Sequence, residues 1–136
     1  MKSNLETVQS IYEAFGKGDI PTILSHLADD IQWEAWADNS AQKHYVPWLK
    51  PHTGKDGVLA FFGLAAQLNI IDFQVLSMMD GGHQVAAEVV IEAAPSSLGK
   101  GFRDEEVHLW SFNDAGKVIR MRHYTDTYKH IQAAQV

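Results

Sequence analysis

The 136-residue chain contains no cysteine. That absence excludes disulfides, thiolate metal sites and a cysteine nucleophile. Positive charge is scarce: 11 Lys and Arg stand against 17 Asp and Glu, a formal net charge of −6. No basic stripe is visible, so neither nucleic acid nor an anionic membrane surface is an expected partner. No apolar run approaches the ~18 to 20 residues of a membrane span. Glycine-rich phosphate loops and a GxSxG elbow are missing, which leaves nucleotide-dependent and serine-hydrolase chemistry without support. The histidines at 26, 44, 52, 83, 108, 123 and 130 form no HxxxH or HxH pair. No metal is expected from that spacing, and no other cofactor is implied. The opening MKSNLETVQSIYEAF is amphipathic and carries acids, unlike a secretory signal, so the expected location is cytoplasmic.

What is present suits one soluble domain. Hydrophobic residues make up 46% and charged residues 21%, the ordinary balance of a globular protein. Residues 3 to 16 read as a helix: Ser3 and Glu6 are spaced as a capping box, and Leu5, Val8, Ile11, Tyr12 and Phe15 form one stripe. GKGD at 16 to 19 ends it, and Asp19 with Pro21 opens a second helix. DIQWEAWA at 30 to 37 reads as a strand with Trp33 and Trp36 on opposite faces. A polar segment with Tyr45, Pro47, Trp48 and Pro51 reads as a loop that could close over an opening.

Gly54 to Asn69 reads as a third helix with Val58, Phe61, Phe62, Ala65 and Leu68 inward. Four strands follow, over about 70–79, 83–93, 102–113 and 117–127, joined by hairpin turns such as Asn113 to Gly116. A short C-terminal helix or tail finishes the chain. Helices grouped ahead of antiparallel strands predict an α+β fold, a curved antiparallel sheet forming a cone packed by three helices of the N-terminal half. Such a cone holds a pocket for a small hydrophobic ligand. Alternation of Val85, Ala87, Val89 and Ile91 against a second apolar set also predicts a homodimer through the outer sheet face.

The stretches VQSIYEAFGKGDIPTILSHLADDIQWE, GKDGVLAFFGLAAQL and WSFNDAGKVIRMRHYTDTYKHI carry a resemblance across nearly the whole chain. Together they resemble the nuclear-transport-factor-2-like superfamily, which includes ketosteroid isomerases, limonene epoxide hydrolases and SnoaL-like polyketide cyclases. The resemblance implies that Asp126, two residues after Tyr124, projects into the cone as acid or base. The epoxide hydrolases add a second aspartate and an arginine on a neighbouring strand. HQVAAEVVIEAA offers Glu88 there but no Arg-x-Asp, so that activity is not implied. The isomerases use an early aspartate with a tyrosine and a protonated acid, a set that does not map onto this sequence, where Asp38 falls in a loop.

A carboxylate enclosed in apolar surroundings is shifted by desolvation toward proton exchange at neutral pH. Asp126, with His108 and Tyr124 as polarising partners, is therefore the expected catalytic set. Period 2 puts Glu106, His108, Trp110 and Phe112 on one face of their strand. It groups Arg120, Arg122, Tyr124 and Asp126 on the next, opposite Ile119, Met121, His123 and Thr125. Two arginines sit badly inside an apolar cone. Either a bulge breaks the alternation, or the arginines lie at a wide, wet end where Arg122 pairs with Glu106 or Asp126. Trp33, Tyr45, Trp48, Phe62, Trp110, Arg122 and Glu106 are the expected substrate contacts. The expected function is a cofactor-free cyclase or isomerase acting on a small hydrophobic carbonyl compound. The alternative is a non-catalytic binding protein for an apolar metabolite.

Overall fold

The computed structural model describes residues 2–34, 39–95 and 101–134. Trp36, Asp38 and most of the expected loop at 94–101 lie outside the described residues. Helix α1 spans Asn4–Gly16. Its start is the expected capping box: Glu6 N donates to Ser3 Oγ and Ser3 N to Glu6 Oε1, each at 3.1 Å. Helix α2, Ile20–Ser25, opens with the Asp19 carboxylate accepting from Thr22 N at 3.2 Å. Strand β1 covers Leu27–Trp33.

The segment read as loop holds three short elements: helix α3 at Ser40–Lys43, a 3-10 turn at Pro47–Leu49 and strand β2 at His52–Thr53. Asn39 caps α3 through Gln42 N at 2.9 Å, a local bond that competes with open loop. Helix α4, Gly54–Ala65, ends before the expected Asn69 because Leu68 and Asn69 enter β3 and pair with Pro95 and Ala94. Strands β3 (Leu68–Asp80), β4 (Gln84–Pro95), β5 (Phe102–Phe112) and β6 (Val118–Tyr124) follow, then helix α5 at Thr127–Ala134.

The strands form one curved, unclosed sheet in the order β2-β1-β6-β5-β4-β3. Neighbours are antiparallel except β1 and β6, which run parallel because α4 and β3 to β5 separate them in the chain. The concave face packs α1, α2 and α4 around Val8, Ile11, Ile23, Leu27, Ile31 and Val58. Each such side chain, fully buried, contributes roughly 1.5–3 kcal/mol. On β4 the buried concave positions are small: Ala87 lies opposite His108 and Val89 opposite Glu106. That leaves room for polar side chains from β5. The outer face is mixed in character, with Glu88, Arg103, Glu105 and Val107 exposed. No described helix is long and apolar enough to cross a membrane.

Candidate active site

The β5–β6 hairpin decides which side chains reach the cavity. Asn113 closes the turn, its N donating to Lys117 O at 2.9 Å and its O accepting from Gly116 N at 3.0 Å. Phe112 pairs with Val118, but Ser111 pairs with Arg120, so Ile119 is an extra residue on β6. This bulge is the first of the two alternatives that the arginine conflict left open. Directly opposed residues share a face, and one inserted residue exchanges the faces of everything beyond it. Without Ile119, His108 would oppose Arg122, with Tyr124 and Asp126 turned inward. With it, His108 opposes His123 and Trp110 opposes Met121.

The expected face of Arg122, Tyr124 and Asp126 is therefore corrected. Arg122 pairs with Leu109 and Tyr124 with Val107 on the outer side. Asp126 is exposed, in the link to α5, where its N donates to Asp104 Oδ2 at 3.2 Å. Tyr45 is also away from the cavity, 80% exposed with a φ of 58°. The remaining expected contacts, Trp33, Trp48, Phe62, Glu106 and Trp110, line the cavity, as does His108 of the expected catalytic set. Four further residues of the site carry chemistry that sequence reasoning passed over: Tyr12, Glu34, His123 and His130.

The cavity lies between α1, α4 and the concave sheet and contains about 750 Å³ of space, solvent at its mouth included. Its walls are apolar and aromatic, among them Ile11, Phe15, Phe61, Phe62 and Phe73. Across this surface runs a row of buried polar groups. Trp110 Nε1–H donates to Tyr12 Oη at 3.1 Å, and Tyr12 O–H lies 2.7 Å from His108 Nδ1. His108 Nε2 is 3.0 Å from Glu106 Oε1, and His130 Nε2 is 3.0 Å from Glu106 Oε2. His130 Nε2 is also 2.9 Å from Asp104 Oδ2. Trp48 Nε1–H completes the row at His130 Nδ1, 2.9 Å away. Trp48 can only donate, which leaves His130 Nδ1 bare and its proton on Nε2; the Glu106 carboxylate accepts from His130 and from His108 Nε2, so His108 Nδ1 is the acceptor for the Tyr12 hydroxyl.

His123 has a separate anchor. Its backbone N and its ring Nδ1 both donate to Glu34 Oε1. Glu34 is 1% exposed, follows β1 with a φ of 58°, and has its N bonded to Met121 O at 2.9 Å. A left-handed conformation is uncommon for a residue with a side chain, and here it accompanies a carboxylate tucked beneath the sheet. The His123 ring stands perpendicular to His108, with centroids 4.3 Å apart. Phe61 stacks on it at 5.9 Å.

Burial opposes the charged form of each imidazole. For His108 this prevails, reinforced by neighbouring His123, and its pKa is lowered despite Glu106. For His123 the Glu34 carboxylate outweighs burial and its pKa is raised. Glu106 is held well below the usual carboxylate range: burial acts against this, and the hydrogen bonds from His108 and His130 overcome it. Burial raises Asp104, and Glu106 adds to that effect. Burial and Glu106 raise Tyr12, so its hydroxyl stays protonated.

Asp104, Glu106 and His130 present ligand-type atoms within 4.8 Å of one another. Their hydrogen bonds do not suit a cation. A metal-bound histidine ordinarily donates its second ring N–H, whereas Trp48 donates into His130 Nδ1. A metal at Nε2 would require an imidazole with no proton at all. The cluster is a closed hydrogen-bonded group.

Among solved structures, an NTF2-like protein of unknown function from Burkholderia pseudomallei is 23% identical, with 100% of both chains covered and a TM-score of 0.80. A proposed isomerase from Rhodopseudomonas palustris is 17% identical over 98% of this chain and 97% of its own, TM-score 0.72. A proposed SnoaL-like polyketide cyclase from Mesorhizobium loti is 20% identical over 90% of this chain and 99% of its own, TM-score 0.68. None of the curated proteins matches the chain. Identities this low establish the shared fold alone. The SnoaL-like domain family matches residues 8–121, and the chain belongs to that family.

Proposed function

We propose that the protein is a cofactor-free acid–base enzyme of the isomerase or cyclase type, with His123 as the group that moves the proton. One observation carries this reading. Of the six ring nitrogens of His108, His123 and His130, five have a hydrogen-bond partner, and among the described residues His123 Nε2 alone has none. That nitrogen belongs to a cavity-lining ring, while Glu34 holds Nδ1 as a donor, so the open nitrogen is the one that accepts. A positioned imidazole with a carboxylate behind it is suited to general acid–base catalysis.

The substrate would be a small, largely apolar carbonyl compound, chosen by the aromatic walls. His123 Nε2 takes a proton from the carbon beside the carbonyl, giving an enolate and an imidazolium paired with Glu34. It then returns that proton to another carbon or to oxygen, so no net proton or electron is consumed. Trp33 Nε1–H is buried without a partner among the described residues, and a cavity-wall donor of this kind suits the carbonyl oxygen. Relatives named as a proposed isomerase and a proposed polyketide cyclase are compatible with this chemistry.

Exchange of the α-protons of 2-tetralone in deuterated water, followed by proton NMR, tests the reading. The wild type should accelerate exchange, and His123→Gln should lower the rate by about 10²–10⁴-fold, the usual weight of a general base, with affinity for the ketone retained. Undiminished exchange in His123→Gln would overturn the assignment. Binding without any acceleration would favour the non-catalytic metabolite carrier.

A further inference from the structure

The row of buried groups ends in an indole N–H on each side, and the outer one has a role the proposed proton transfer does not itself require. We infer that Trp48 is a positioning residue that locks His130 in its Nε2–H tautomer and thereby keeps the Glu106 end of the cavity closed to proton uptake. The geometry leaves little freedom. Trp48 Nε1 can only donate, and it stands 2.9 Å from His130 Nδ1. Protonating Nδ1 would set two N–H groups against each other. The single proton of His130 then stays on Nε2, between Asp104 Oδ2 at 2.9 Å and Glu106 Oε2 at 3.0 Å.

The rest of the row is set by Glu106. With Glu106 Oε2 accepting from His130, Oε1 accepts from His108 Nε2, and His108 Nδ1 is left for the Tyr12 hydroxyl, itself held by Trp110. Trp48 thus assigns the proton of His130, and the Glu106 carboxylate, which can only accept, assigns that of His108. The groups that face His130 are few. Asp104 and Glu106 come from β5 and the Phe102 ring lies 4.4 Å away. The same end of the core is filled by Ala41 of α3, Ala93 of β4 and Ala133 of α5, with no charge among them. His123 is the next ionisable neighbour, and a charge on His130 lowers its pKa. Asp104 and Glu106 raise the pKa of His130 against its burial, and the Trp48 N–H at Nδ1 is the hydrogen bond that opposes the second proton. The consequence for chemistry rests on the proposed function, since a locked row leaves His123 as the titrating imidazole. The tautomer itself does not rest on it.

Long-range nitrogen–proton NMR of the imidazoles reads both states directly. In the wild type at pH 7, His130 and His108 should each show a protonated Nε2 and a bare Nδ1. Trp48→Phe keeps a ring to stack on Phe102 and deletes only the donor. It should raise the protonation midpoint of His130 by about one pH unit, the effect of one lost hydrogen bond to the neutral form. The added positive charge should move His123 downward, carrying the pH profile of ketone exchange with it. Phe102→Leu is the control: it loosens the same packing but keeps the indole N–H, and should lower the melting temperature without altering the His130 tautomer. An imidazolium at His130 in the wild type at pH 7 overturns the inference, as does an unchanged His130 signal in Trp48→Phe. Where Trp48→Phe does not fold, the wild-type spectrum decides. His123→Gln should lower exchange by about 10²–10⁴-fold and leave the His130 signal in place, so failure of the catalytic reading shows in exchange and failure of the lock in the nitrogen spectrum.

Discussion

Tyr12 shows how one hydroxyl serves two buried partners. It accepts from Trp110 Nε1 and donates to His108 Nδ1, joining α1 to β5 at the base of the cavity. Tyr12→Phe would leave an indole N–H and an imidazole nitrogen without partners in a dry setting, and each orphan costs about 1–3 kcal/mol. Urea denaturation at pH 7 should show a loss in that range. The sign for His108 is also set. The Tyr12 hydroxyl stabilises the neutral imidazole, so its removal should move the His108 pKa upward, toward the ordinary value, in an NMR titration. An unchanged titration would mean that the phenol does not donate to that ring. In the sequence Tyr12 is one member of an apolar helical stripe, and periodicity places it inward correctly. Nothing local says that its oxygen meets a histidine 96 positions later.

At the scale of the element, a single inserted residue reassigns the site. Period-2 grouping within β5 and within β6 is right, strand by strand. What sequence leaves open is how the two sets join across the turn, because a bulge adds no composition signal of its own. The misfit of Arg120 and Arg122 on the face of Asp126 was the trace that Ile119 left in the pattern. The resolution moves His123 inward and Asp126 out. Glu34 was less legible still: it belongs to an unremarkable strand end, and only a φ of 58° brings its carboxylate under His123. Capping, turn and helix signals are local and were readable for the same reason. Ile119 is 37% exposed, so Ile119→Gly should cost only about 1 kcal/mol. Deleting Ile119 should be far worse, since Met121 and His123 would face solvent and Arg122 the core. Thermal melts by circular dichroism should show a modest shift for the first and loss of the cooperative transition for the second. A deletion variant as stable as the substitution would mean that the register does not depend on the bulge.

Across the whole molecule, the buried titrating groups make stability depend on pH from both sides. Glu106 has a folded pKa below its unfolded value, so its contribution is present above the unfolded pKa and is lost as pH falls through the folded one. His108, also lowered, acts in the same direction, because below about pH 6.5 the unfolded chain takes up a proton that the folded chain resists. His123 has the opposite sign. Its raised folded pKa gives a contribution that is full below the unfolded value and is lost as pH rises through the folded one. Stability in urea should therefore fall away both below about pH 6 and above neutrality. The two limbs should separate by mutation. His123→Gln should reduce the alkaline limb to the part carried by His130, whose pKa Asp104 and Glu106 also raise, and leave the acid limb in place. Glu106→Gln should cost about 2 kcal/mol at neutral pH, the weight of a hydrogen bond to a charged group, and should reduce the acid limb to the part carried by His108. An alkaline limb unchanged by His123→Gln would show that Glu34 does not raise the His123 pKa in the folded state. The two sites are neighbours across one strand pair, yet they titrate apart because each histidine has its own carboxylate. That separation is what a cone with two differently anchored imidazoles provides: one is fixed neutral within the wall, and the other is open to the cavity and free to exchange its proton.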